Sequence, residues 1–315
     1  MKGNCIPKII KKFKRTPKIN LRRLRIGGKT VDVPVIIING SIKGKTLLIT
    51  AGMDGDEYSG ISASYNLIDK YCGGLNAGKL IIIPIVNLPG FWNETSLNPL
   101  DGKYPKFIYP GSETGKESEQ LVYWLHTNWV READVWLDLH GGSNTERLTP
   151  FVITWKSKNT EVNDFARMIL NTMPAGKVVF DQDRISDKTD ILGRNGCSYF
   201  ISEAGSFTYI DRPSIDFHKK VAEHIMSNVG MLNNRNRRSR SRVFSSVNEY
   251  ALTRGGLWHA RKFLGSVKKG MVLGEVLSFD NKIIEQVLVR KTGQLLWIKE
   301  GMAAHPGDII GGVAV

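Results

Sequence analysis

Nowhere does this 315-residue chain hold an apolar run near the roughly 18–20 residues that cross a bilayer, so no membrane span is expected. The N-terminus, MKGNCIPKIIKKFKR, is basic, but no apolar h-region follows it, and it does not read as a secretory signal. Cysteine is scarce. Cys5, Cys72 and Cys197 are odd in number and far apart, which excludes a disulfide framework and fits reduced thiols. The expectation is a soluble, cytoplasmic protein, large enough for one sizeable domain and a small one.

Two strongly basic stretches contain no acidic residue. Residues 1–31 carry eleven cations and no acid, and residues 233–242, NNRNRRSRSR, add five arginines. Those sixteen charges exceed the net +14 of the whole chain, so the remaining body is close to neutral. Basic tracts of this kind can bind phosphate backbones or anionic lipid. Without interleaved aromatic residues they read as solvated surface, and no specific nucleic-acid partner is expected. The division is a basic leader over 1–30, an α/β body over 31–232, an Arg/Ser linker over 233–242 and a β-rich region over 243–315.

In the body, β-branched residues over 19–50 predict strands, with Ile26-Gly27-Gly28-Lys29 as a hairpin turn. Ile61, Tyr65, Ile68 and Tyr71 follow at helical spacing up to Gly73-Gly74. Leu80–Val86 is apolar throughout, as a strand buried on both faces should be. Residues 88–115, rich in proline and glycine, read as a long loop of functional type. Further helices are predicted at Glu117–Val130, around Phe165–Ile169 and after Pro213, and strands at Val135–Leu139, Val178–Phe180 and Ser198–Ser202. Strand and helix alternate, which predicts an α/β fold with a parallel or mixed sheet. Beyond residue 243 helical periodicity disappears. Residues 267–276 and 304–313 form a faint repeat, each placing a turn glycine before an apolar strand, as in a pseudo-symmetric β sandwich or barrel. The pattern resembles lipoyl-like domains, yet Lys291 makes a poor attachment site.

Three predicted strands end in residues of one chemical kind: Asp54 and Glu57 after Leu47–Ala51, His140 after Val135–Leu139, and Glu203 after Ser198–Ser202. Strand ends at which carboxylates and imidazole converge are where an open α/β sheet places its chemistry. Two carboxylates and a distant histidine can hold a divalent metal, and a further glutamate can take a proton from water and pass it to a leaving amine. The bland alternative for Asp54 and Glu57 is an acidic first turn favoured by the helix dipole.

The ordered series AGMDGDEYSG, IIIPIVN, DG…YPG at 101–111, DLHGG at 138–142 and SEAG at 202–205, with a β-rich tail, resembles the succinylglutamate desuccinylase/aspartoacylase family of zinc hydrolases related to M14 carboxypeptidases. The resemblance implies a carboxypeptidase-like mixed α/β sheet flanked by helices and a small C-terminal all-β domain. It also implies one catalytic divalent ion, zinc, and hydrolysis of an amide bond in a small N-acyl amino acid or peptide-like substrate. It puts metal ligands at Glu57 and His140 and the catalytic glutamate at Glu203.

Two departures stand out. Asp54 occupies the family's first histidine position, and Lys106-Phe107 replaces the Asn-Arg pair that holds substrate carboxylate. An upstream arginine position falls on Ser96. As a ligand, Asp54 adds negative charge, lowers Lewis acidity and makes manganese or iron reasonable alternatives. Lys106 is a point charge and not a fork, so Arg147 and Arg194 are the further candidates for gripping substrate. A degenerate relative that binds a ligand or partner is the competing reading, a nucleic-acid or membrane-surface binder the third. Homo-oligomer formation is left open.

Overall fold

A computed structural model describes residues 17–233 and 241–315. The Gly27-Gly28 turn forms as expected, both residues at positive φ, between β1 (Ile19–Ile26) and the long β2 (Lys29–Ala51). β1 therefore lies within the basic leader. Residues 1–16 and 234–240, with most of the leader and linker cations, lie outside the described residues.

The remaining body strands are β3 (Leu75–Ile83), β4 (Val135–His140), β5 (Glu146–Leu148), β6 (Phe151–Lys156), β7 (Lys177–Ile185), β8 (Ser198–Glu203) and β9 (Arg242–Phe244). They alternate with helices α1 (Tyr58–Tyr71), α2 (Leu88–Trp92), α3 (Glu117–Asn128), α4 (Thr160–Asn171), α5 (Asp187–Arg194) and α6 (Arg212–Asn228). One sheet runs β1-β2-β4-β8-β6-β7-β9, with β3 against β2. The end of β2, β4 and β8 are mutually parallel, whereas β6 is antiparallel to β8, so the sheet is mixed.

Side-chain alternation assigns the two faces. Leu47, Ile49, Leu137 and Leu139 point into a core completed by Leu67 and Ile68 of α1 and Ile225 of α6. Leu48, Trp136 and Tyr199 point the other way, onto Leu121 and Leu125 of α3. These strand residues are almost fully buried, and each such Leu or Ile contributes about 1.5–3 kcal/mol relative to exposure. A sheet covered on both sides explains the continuous apolar runs.

Residues 247–314 form β10 (Val247–Ala251), β11 (Gly256–Ala260), β12 (Gly265–Val267), β13 (Val272–Leu277), β14 (Ile283–Leu288), β15 (Gly293–Lys299), β16 (Ala303–Ala304) and β17 (Ile309–Ala314). They make two antiparallel sheets, β10-β17-β15-β12 and β14-β13-β11-β16. The sequence repeat is real in space. β12–turn–β13 and β16–turn–β17 each cross between the sheets, through left-handed Gly270 (φ 85°) and Gly307 (φ 89°). The two parts are stitched by β5, which leaves the α/β body to pair with β15 (Leu148 opposite Trp297, Glu146 opposite Lys299). No helix among the described residues is long and apolar enough to cross a membrane.

Candidate active site and metal centre

Register brings the expected residues together. Ala51 lies opposite Leu139, and His140 opposite Glu203, so β2, β4 and β8 finish in one row. After Ala51 the chain turns at Gly52 (φ 60°) and packs Gly55 against α2 so closely that a Cβ there would sit 2.2 Å from Gly90 C and Phe91 N. The turn delivers Asp54 and Glu57 to the strand ends.

Glu57 is the N-cap residue of α1, yet its side chain makes no capping bond. Its Oε2 instead lies 2.9 Å from His140 Nδ1 and accepts the Gly141 N–H at 3.0 Å. Asp54 Oδ2 lies 3.5 Å from the same Nδ1. The acidic-turn explanation therefore fails for these two residues, whose carboxylates serve His140 and not the helix end.

His140 Nε2 is held by Asp138 Oδ2 at 3.1 Å. Asp138 also accepts from Thr50 Oγ1 (2.6 Å) and the Tyr199 hydroxyl (3.2 Å), and Trp136 Nε1–H donates to Thr50 Oγ1 (2.7 Å). This chain fixes the ring and leaves Nδ1 facing Asp54 and Glu57, the outer carboxylate arrangement common behind metal-bound histidines. Sequence reasoning passed over Asp138. Its signal was present, because residues two apart on a strand share a face.

Asp54, Glu57 and His140 are buried, and one donor atom from each lies within 4.8 Å of the others. Asp54 Oδ1 is buried without a hydrogen-bond partner among the described residues. Two carboxylates and an oriented imidazole, with Asp54 Oδ2 and Glu57 Oε2 both turned toward His140 Nδ1, fit a divalent ion. Lys106 stands beside them. Lys106 sits in the 3-10 turn Pro105–Phe107, a few residues after Asp101, whose carboxylate takes Ser118 N–H and Oγ–H at the start of α3. From this turn Lys106 Nζ reaches Asp54 Oδ2 at 2.5 Å.

Charge and burial oppose one another throughout. Burial raises the Asp54 carboxyl, but Lys106 and His140 outweigh it and hold it well below the usual range. Burial and the charge on Asp54 push Glu57 up. His140 is also raised, since Asp138 and Glu57 overcome the cost of burying its cation. Burial lifts Glu203 to about 7, against the opposing pull of His140 and Lys106.

A cavity of about 580 Å³ opens over this floor, with Glu57, Lys106, His140 and Glu203 in its lining. Val247, Glu249, Trp297 and Ile309 of the C-terminal region supply part of its wall. Arg147 and Arg194, the expected substrate grips, are placed elsewhere. Arg147 makes a two-point pair with Glu300 and stacks on Phe207, and Arg194 pairs with Asp190 at 2.8 Å; neither lines the cavity. Ser96 donates to Asp56 at 2.6 Å. The cation sequence reasoning missed is Lys188 of α5. It lies over the rings of Trp136 (4.8 Å) and Tyr199 (4.6 Å), lines the cavity, and is lowered by burial to about 8. Nothing in the local sequence marks it.

Residues 43–229 match the succinylglutamate desuccinylase/aspartoacylase catalytic domain. The chain belongs to this family. The chain is 33% identical over 121 residues to an N-alpha-acetyl-L-2,4-diaminobutyric acid deacetylase of Halomonas elongata. That match spans 38% of this chain and 35% of the relative. A succinylglutamate desuccinylase/aspartoacylase from Rhodobacter sphaeroides has the same fold, with a TM-score of 0.82 at 21% identity, covering 96% of both chains. The product-bound ectoine utilization protein EutE (DoeB) of Ruegeria pomeroyi gives 0.83 at 21% identity, over 96% of this chain and 97% of that one. The mixed sheet and the C-terminal β region are thus features of the family fold.

Proposed function

We propose that this family member is a metal-dependent hydrolase of an amide bond in a small N-acylated amino acid or peptide-like molecule. The observation that carries the reading is the convergence of Asp54, Glu57 and His140 beside Glu203 on adjoining strand ends at the cavity floor. Asp54, Glu57 and His140 Nδ1 would hold the ion, zinc being expected from the family. When bound, a divalent ion there supplies Lewis-acid polarisation of a carbonyl and acidification of water.

The chain's own groups do the rest. Glu203, with its carboxyl near 7, is ionised enough at neutral pH to take a proton from water and acidic enough to give it to the departing amine. Asp138 fixes the His140 ring through Nε2 and keeps Nδ1 on the ligand side. Val247, Glu249, Trp297 and Ile309 of the C-terminal region would face the bound substrate from one side of the cavity. The match to an N-alpha-acetyl-L-2,4-diaminobutyric acid deacetylase supports an N-acetylated diamino acid as the first substrate to try.

A second reading, a catalytically retired binding protein, is favoured by one observation: among the described residues no arginine fork lines the cavity, and Lys106 is bonded to a ligand carboxylate. Metal content of protein purified without added metal or chelator, beside His140→Ala, separates the two. Near-stoichiometric zinc, manganese or iron that is lost in the variant, with release of acetate from N-acetyl-2,4-diaminobutyrate, is the expected result. A native protein that stays empty on titration refutes the hydrolase.

A further inference from the structure

Asp54 and Lys106 are 52 residues apart in sequence and in contact in space. Asp54 is fully buried, and the Lys106 ammonium touches its Oδ2. Oδ2 is also the oxygen turned toward His140 Nδ1, 3.5 Å away, and therefore lies on the side of the ligand set. Three carboxylates, those of Asp54, Glu57 and Asp138, surround one imidazole. A cation bonded within this cluster offsets charge that would otherwise repel in a poorly solvated place. Lys188, the other cation of the cavity, bonds to the Tyr199 hydroxyl and lies over rings.

We infer that Lys106 is a built-in counter-ion of the metal site, and that its ammonium and a divalent ion compete for Asp54 Oδ2. The inference rests on the metal-dependent reading above. It gives the site two charge-balanced states: one closed on Lys106 without metal, the other with the ion bound and the ammonium displaced toward the cavity that Lys106 already lines. The aspartate and the lysine then form one functional unit. Metal affinity is set by the difference between the two cations at one oxygen, and not by the three ligands alone.

Zinc and manganese titrations of chelator-treated native protein and Lys106→Met, followed by calorimetry and by thermal unfolding, test this. Lys106→Met is expected to bind zinc at least tenfold more tightly, to melt lower than native without metal, and to gain more from added zinc. Asp54→His leaves a donor but no anion for the ammonium, and that background also spares the methionine variant a buried unpaired acid. There Lys106→Met should change affinity less than threefold. Equal or weaker zinc binding by Lys106→Met in the native background overturns the inference, as does an undiminished tenfold gain in the Asp54→His background. Failure of every chain to bind metal refutes this inference and the metal-dependent reading together, whereas equal binding by native and Lys106→Met refutes this inference alone.

Discussion

Replacing Glu203 by glutamine removes the cavity carboxyl while keeping its shape, and the structure fixes how the consequence should vary with pH. Burial raises this group from 4.5 to about 7. A group whose folded pKa lies above its unfolded value binds its proton more tightly in the native state. Its contribution to stability is therefore complete below the unfolded value and is lost as pH rises through the folded one. A tenfold difference in proton affinity is worth about 1.36 kcal/mol, so the native chain loses about 2.5 kcal/mol between pH 5 and pH 8 on account of this residue alone. Glu203→Gln cannot lose it. Urea unfolding of both proteins at the two pH values, in the presence of chelator and followed by tryptophan fluorescence, reads the difference directly. Titrations common to both chains cancel. The variant should gain on the native protein by about 2–3 kcal/mol as pH rises from 5 to 8. A stability difference that stays constant with pH would refute the claim that burial holds a proton on Glu203, and with it the assignment of a base tuned near neutrality.

Two further outcomes are expected. Asp138→Asn keeps the volume but weakens the hold on His140 Nε2, so zinc affinity should fall about 10–100-fold in titration while the far-ultraviolet circular dichroism is unchanged. Gly55→Ala places a methyl group where only 2.2 Å separates it from the backbone of α2, and denaturant unfolding should show a loss of at least about 2 kcal/mol, with reduced metal binding because the Asp54 turn must shift.

Much of the architecture was written in short-range pattern. The apolar runs at 47–51, 80–86 and 135–139 announce buried strands, and the paired glycines at 27–28 a tight hairpin. The repeat at 267–276 and 304–313 was visible as a spacing, and its meaning, two segments that each change sheet, follows from antiparallel pairings made far along the chain. β5, β6 and α5 escaped notice, and the stretch 88–115 read as a loop begins with the five-residue α2, started by Pro89 and capped by Asn87. β5 has three residues and owes its existence to a partner about 150 positions away, while α5, DKTDILGR, has too few apolar residues to show a clear period. Within the site, Asp54, Glu57, His140 and Glu203 were legible because each closes an apolar run. Lys188 was not, since its place is set by packing on Trp136 and Tyr199 and not by neighbours in sequence. Arg147 looked available from its position after the histidine strand. It is taken up by Glu300 because β5 runs alongside β15, a pairing no local signal betrays.

The seam made by β5 has a consequence for anyone redesigning specificity. Glu146 and Leu148 line the cavity and also pair with Lys299 and Trp297, so a loop graft that alters one wall re-registers the edge of the neighbouring sheet. Trp297 lines the cavity from that sheet, and its ring leaves no room for a methyl group on Gly312. A mutant library confined to the body would move only part of the cavity wall. Variation at 146–148 has to be drawn jointly with variation at 297–299, as one hereditary block.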